Sequence, residues 1–341
     1  METNRRKFLK AAGAAGAIAA TGAAVTRSRN VAQAAPVRPG ARGMAQGLTL
    51  LTLKRNNEFR LGVKTDRGVL DVKEAAAALH MPAPTTMDDL LQKEDGPSLN
   101  ALVEAALKSN AAKKSFLKDD AIEHGPLVTR PEKIVCVGLN YRKHAKETNQ
   151  QVPKAPILFN KFNNALSEHN GKLNLPVDVA TKFDHEVELV IVIGKEAKNV
   201  SEADARNYIA GYATGNDFSA RDLQLETGGQ WMIGKTPDQF APLGPHLVTA
   251  DQVDADNLKI ECRINGETRQ SSTTADMEFS TKQIVSYASR HFTLRPGDII
   301  FTGTPEGVIQ GKAPDKRVWL KPGDKVACSL EKLGELKFDL V

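Results

Sequence analysis

Between Phe183 and Ile193 the chain reads FDHEVELVIVI. This is an apolar run of β-strand character with two carboxylates, Glu186 and Glu188, set two residues apart. Successive side chains of a strand point to opposite faces, so both acids share one side while Val187, Leu189 and Ile191 take the other. Two buried like charges repel, and each costs on the order of several kcal/mol to desolvate. A cation between them removes both objections, and an oxygen-only donor set suits Mg²⁺, Mn²⁺ or Ca²⁺. An edge strand with its glutamates in water fits the same letters. His185 falls on the face opposite the two glutamates and is left out of the candidate metal set. Asp184 shares their face, as a supporting partner or as an ordinary strand-start aspartate.

Working outward, short valine and isoleucine runs recur from Pro131 onward: IVCVG, ELVIVIG, IECRIN, DIIFTG and DKVACSL, separated by Gly, Pro or Asp turns. Helical patterns intervene only at 201–208, 219–225 and 281–288. Strands outnumber helices and no βαβ alternation appears, which predicts an α+β, mainly β fold: a mixed β-sandwich or roll, not a doubly wound sheet. Upstream, LTLLTL, FRLGV and GVLDV alternate around turns at Asn56-Asn57 and Asp66-Arg67-Gly68. Helical patterns follow at 73–79, 87–91 and 99–107. Residues 46–127 read as a small N-terminal α+β support domain and 128–341 as the catalytic domain.

The N-terminus speaks to compartment. Asn4-Arg5-Arg6-Lys7-Phe8-Leu9-Lys10, a short Ala/Gly-rich apolar segment and Ala32-Gln33-Ala34 read as a twin-arginine export signal over 1–34, with a linker over 35–45 and a periplasmic destination. The apolar segment is too short and glycine-rich to span a membrane. The chain carries 46 Lys and Arg against 41 Asp and Glu. Residues 1–34 hold six of the basic residues and one of the acidic, so the remainder is balanced. Charge therefore gives no support for nucleic acid or an anionic membrane as partner. Cys136, Cys262 and Cys328 are odd in number and form no CxxC pair, so no disulfide framework is expected.

Two further constellations carry chemistry. Asp217, Arg221 and Gln224 are spaced i, i+4, i+7 and would share a helix face, placing an acid, a guanidinium and an amide on one wall. An N-cap aspartate with a surface arginine accounts for the same spacing. His144 and Glu147 are three apart, and a carboxylate beside an imidazole fixes its tautomer and raises its basicity. An exposed helical His/Glu pair is the simpler account of those two residues alone.

Taken together and in order, GLNYRKHAKE, FDHEVELVIVIGK, GYATGNDFSARDLQ, QWMIGKTPDQFAPLGP and RPGDIIFTGTPEGV strongly resemble the fumarylacetoacetate hydrolase family over residues 128–341. The resemblance implies that family's mixed β-sandwich roll and a homodimer. It implies Glu186, Glu188 and Asp217 as ligands of Mg²⁺ (or Mn²⁺ or Ca²⁺), and His144 with Glu147 as the catalytic pair on a lid-like segment. It further implies Lys235 as the stabiliser of developing negative charge, and Arg221, Gln224 and Thr304 as substrate contacts. The implied activity is metal-dependent hydrolysis of a C–C bond in an acylpyruvate-like 2-oxo acid through an enolate. Isomerisation, decarboxylation or hydration on the same scaffold, or oxo-acid binding without catalysis, are the alternatives.

Overall fold

A computed structural model describes residues 42–341. The twin-arginine segment read over 1–34 lies outside the described residues, as does all but the end of the linker. No helix among the described residues is long and apolar enough to cross a membrane.

The architecture is strand-rich and mixed, as the sequence patterns predict. A ten-stranded sheet runs, in spatial order, Phe116–Leu117, Gly68–Asp71, Glu58–Thr65, Thr49–Arg55, Leu247–Thr249, Ile209–Asn216, Val187–Ile193, Ile299–Phe301, Ile134–Gly138 and Ile157–Lys161. Most pairs are antiparallel, and Ile299–Phe301 lies parallel to Ile134–Gly138. Strand Thr49–Arg55 pairs with Leu247–Thr249, so the N-terminal strands continue the sheet that carries the acidic motif. A second sheet of five strands, Glu267–Thr273, Lys259–Ile264, Lys325–Leu330, Gly334–Leu340 and Gly171–Leu173, packs on the first.

Val187–Ile193 is buried on both faces and lies among the central strands. Val187, Leu189, Ile191 and Ile193 pack towards the second sheet with Ile260, Val326 and Phe338. Val190 and Val192 pack with Leu90, Leu99 and Leu102 of helices Met87–Lys93 and Gly96–Lys108. Glu186 and Glu188 thus belong to the same face as Val190 and Val192, displaced to the strand's N-terminal end. Local signals start the helices where expected. Asp71 accepts from Glu74 N and caps Val72–Leu79, Thr86 accepts from Asp89 N, and Ser280 with Gln283 forms a reciprocal capping box for Thr281–His291; such a cap contributes about 1 kcal/mol.

Three local expectations need correction. FDHEVELVIVI is not one continuous strand: Phe183–Asp184 pairs with Ser219–Ala220, and the ladder resumes at Val187. The break follows from side chains capturing backbone donors, because Asp184 accepts from His185 N, Asn216 from Glu186 N and Gln270 from Val187 N. The helix expected over 201–208 is a 3₁₀ turn at Ala205–Tyr208, where the Ser201 hydroxyl bonds Asp204 and closes a turn instead. The helix expected over 219–225 shortens to Arg221–Leu225, since Ser219–Ala220 is drawn into the two-stranded ribbon. All three cysteines are buried free thiols; Cys262 and Cys328 face each other across neighbouring strands with sulfurs 3.7 Å apart.

Candidate active site

The three acids converge. Glu188 projects from the start of Val187–Ile193, Glu186 from the break before it, and Asp217 from the end of the adjacent strand Ile209–Asn216. Asp217 N donates to Glu186 O at 2.9 Å and fixes the junction. One carboxylate oxygen from each lies within 4.8 Å of the others, and all three residues are buried.

Their partners differ. Glu186 accepts from Arg221 at 2.7 Å and from Lys235. Asp217 accepts from Lys235 at 2.8 Å and from Lys161. Among the described residues, Glu188 accepts only from Gly303 N, at 2.7 Å. The consequences for ionisation are opposite. Burial disfavours the charge on Glu186, but Arg221 and Lys235 outweigh it and hold its carboxyl down to about 2. Glu188 is pushed well above the usual carboxylate range by burial, then by Asp217 and Glu186. Burial also lowers Lys161, against the opposing pull of Asp217. In Lys235 the neighbouring Asp217 and Glu186 overcome burial and raise the value. Four buried acids (Asp184, Glu186, Glu188, Asp217) therefore face three cations (Arg221, Lys161, Lys235), and the uncompensated charge falls on Glu188. An all-oxygen set with one carboxylate lacking a cationic partner fits a hard divalent ion.

Arg221 and Asp217 do not share a helix stripe. Asp217 is fixed by the strand end, and Arg221 opens the short helix four residues later. Its guanidinium donates to Asp184 at 2.8 Å, Glu186 at 2.7 Å and Gln224 at 2.9 Å, so the arginine assigned to substrate from sequence turns inward on protein oxygens. Asp184 also accepts from Ile309 N and Gln310 N at 2.8 and 3.0 Å. It is a supporting partner of the site. Gln224 and Thr304 line the cavity, and the Thr304 hydroxyl is committed to Val187 O and Gln270 Nε2. The turn carrying Thr304 depends on Gly303, whose φ of +103° and 2.7 Å approach of a hypothetical Cβ to Asn140 exclude a side chain.

His144 and Glu147 come together on helix Arg142–Glu147, with Nδ1 and Oε2 3.3 Å apart. Glu147 also accepts from Gly307 N at 3.0 Å. His144 is buried rather than exposed and lines the same cavity as the three acids. Trp231 forms a wall, edge-on to Phe159 with centroids 5.3 Å apart and packed over Gly138. The cavity holds about 560 Å³. His185 points elsewhere and meets Gln270 at 3.0 Å.

Sequence reasoning missed Lys161 and Gln270. Lys161 shares a strand face with Ile157 and the cavity-lining Phe159, and that alternation is the signal that could have found it. Gln270 sits on the hairpin strand Glu267–Thr273, and nothing in its local pattern marks it.

The chain is similar to known proteins over most of its length. Residues 133–341 match the family model for the fumarylacetoacetate (FAA) hydrolase C-terminal domain. The chain is 44% identical over 269 residues to the oxaloacetate tautomerase FAHD2A, mitochondrial, of Bos taurus, covering 78% of this chain and 82% of that one. Among solved structures, an HpcE protein from Mycobacterium smegmatis is 34% identical with a TM-score of 0.73, over 86% of this chain and 99% of that one. Fumarylpyruvate hydrolase from Pseudomonas aeruginosa, solved with Mn²⁺ and pyruvate, is 35% identical with a TM-score of 0.57, over 62% of this chain and 91% of that one. The ordered motifs, the mixed two-sheet architecture and these similarities agree: the chain belongs to the fumarylacetoacetate hydrolase family.

Proposed function

We propose that this protein is a divalent-metal-dependent enzyme that interconverts the keto and enol forms of a 2-oxo dicarboxylate of the oxaloacetate type. The observation that carries the reading is the buried Glu186/Glu188/Asp217 set, in which Glu188 makes no ion pair among the described residues. Mg²⁺ or Mn²⁺ held there would polarise the 2-oxo carbonyl and lower the energy of the enolate.

The chain's own groups supply the rest. His144, oriented by Glu147, takes the proton from the carbon beside the carbonyl as that C–H bond breaks, and the imidazolium so formed gives it to the carbonyl oxygen to complete the enol. Lys235 places an ammonium beside Glu186 and Asp217, where it offsets charge accumulating on the oxygen. Arg221 and Lys161 hold the ligand carboxylates in position, with Asp184 anchoring Arg221. Gln224 and the Thr304 turn face the bound acid. The similarity to an oxaloacetate tautomerase supports the choice of substrate.

A second reading, C–C hydrolysis of an acylpyruvate, is favoured by the cavity. Its 560 Å³ lies within the roughly 300–1,000 Å³ typical of sites enclosing much larger ligands than a four-carbon acid. There His144 with Glu147 would deprotonate water for attack on the distal carbonyl, and the C–C bond would break to give an enolate and a carboxylic acid.

The two readings separate in one experiment with purified protein and Mg²⁺. Decay of the ultraviolet enol band of oxaloacetate reports tautomerisation, and pyruvate release from a panel of acylpyruvates reports hydrolysis. Accelerated enol decay without pyruvate release supports the first reading. Pyruvate release with no effect on the enol band replaces it with the second. The export signal read over 1–34 belongs to the same proposal, and recovery of the shortened protein from the periplasmic fraction tests it.

A further inference from the structure

We infer that Lys312 and Arg317 form a second subsite, one that grips the far carboxylate of a dicarboxylic substrate. The inference rests on the reading that this cavity receives 2-oxo acids, and it names what selects among them. Both residues line the cavity that contains Glu186, Glu188, Asp217, His144 and Glu147. The other fixed cations on its wall are already engaged: Arg221 by Asp184 and Glu186, Lys235 by Glu186 and Asp217. Neither Lys312 nor Arg317 joins an ion pair among the described residues, and Asp315 on the same turn engages neither.

The segment bearing them is built rather than loose. Gly307 N donates to Glu147, Ile309 N and Gln310 N donate to Asp184, and Lys312 N donates to Ile309 O. A 3₁₀ turn over Pro314–Lys316 follows, and Arg317 Nε donates to Lys312 O at 2.9 Å. That bond spends one edge of the guanidinium and leaves both terminal nitrogens as a planar fork, the geometry that receives a carboxylate in two parallel bonds.

The rest of the wall argues the same way. Val137, Phe159 and Leu225 give an apolar side, and Thr148, Asn149, Gln150, Gln224 and Trp231 add only neutral donors. For a ligand whose 2-oxo acid end meets the three acids' cation, Lys312 and Arg317 are the cations on this wall left free to meet a second carboxylate. Asp184 ties the two ends together, because the same carboxylate holds Arg221 behind Glu186 and the backbone at Ile309 and Gln310.

The test uses Mn²⁺-loaded full-length protein, titrated calorimetrically with two probes: 2-oxoglutarate, which carries a far carboxylate, and pyruvate, which does not. Wild type should prefer the diacid. The K312M/R317M double variant should weaken 2-oxoglutarate by about 10–100-fold while leaving pyruvate within about 2-fold, as expected for loss of charge-assisted bonds at one end only. A single R317K substitution, which keeps the charge but not the fork, should fall between them. Equal weakening of both probes, or no change in either, overturns the subsite. A wild type that prefers the diacid, loses that preference in the double variant and yet turns over no 2-oxo acid would support the subsite while removing the proposed reaction.

Discussion

Replacing Arg221 by methionine keeps most of the side chain's volume and deletes the guanidinium shared by Asp184, Glu186 and Gln224. Asp184 then loses its cationic partner, and Glu186 loses one of its two, keeping Lys235. Removing one member of a buried ion pair costs about 3–5 kcal/mol. A second route gives a similar figure. Arg221 is the largest influence opposing burial at Glu186, whose carboxyl sits at about 2 instead of 4.5. At about 1.4 kcal/mol per unit, that displacement corresponds to roughly 3 kcal/mol, shared between Arg221 and Lys235. We expect R221M to lose about 3 kcal/mol near neutral pH, or about 5 °C in Tm for a chain of this size. The sign of the pH dependence follows from the lowered value. Glu186 is ionised more readily in the folded protein, so its contribution is complete above the unfolded value of about 4.5 and disappears as pH falls towards 2. The gap between wild type and variant should therefore narrow as the solution is acidified through that window. Urea unfolding of chelator-treated protein at pH 7 and at successively lower pH measures it. A loss below about 1 kcal/mol at pH 7, or a gap that widens on acidification, would refute the assignment of Arg221 as the counter-charge of Glu186.

Two further outcomes follow from the His144–Glu147 pair. H144A should lower turnover about 10²–10⁴-fold while calorimetric metal uptake is unchanged, which separates the proton-transfer group from the cation site. In G311A the new Cβ would lie 2.5 Å from Glu147 Oε2, so Glu147 must leave Gly307 N; steady-state kinetics should show reduced kcat with thermal stability nearly unaltered.

Much of the site was legible because it depends on local periodicity. The two-residue alternation in HEVELVIVI places Glu186 and Glu188 on one face whatever the strand packs against, and the cores on either side of Val187–Ile193 follow that alternation. The i, i+3 spacing of His144 and Glu147 likewise survives in a helix of only six residues. What was not legible depends on side chains that reach across the chain. Arg221 looked available for substrate because its partners, Asp184 and Glu186, lie more than thirty residues upstream. Lys161 drew no reading from sequence because the groups that enclose its ammonium, Asp217 and the Phe218 carbonyl, lie more than fifty residues downstream. The interruption at His185–Glu186 required Gln270 and Asn216 to take backbone donors that a continuous ladder would have used. The register of Thr49–Arg55 beside Leu247–Thr249 has no local signature either.

A divalent cation is expected at Glu188, the acid of the three that no Lys or Arg contacts directly among the described residues. Titration calorimetry of chelator-treated protein with Mn²⁺ tests it most directly, comparing wild type with E188Q. Wild type should take up one ion per chain. E188Q should bind about 100-fold more weakly, and its chelator-treated form should melt no lower than wild type, because a neutral amide replaces a buried carboxyl whose charged form burial and its acidic neighbours already disfavour. Undiminished uptake by E188Q would contradict the account.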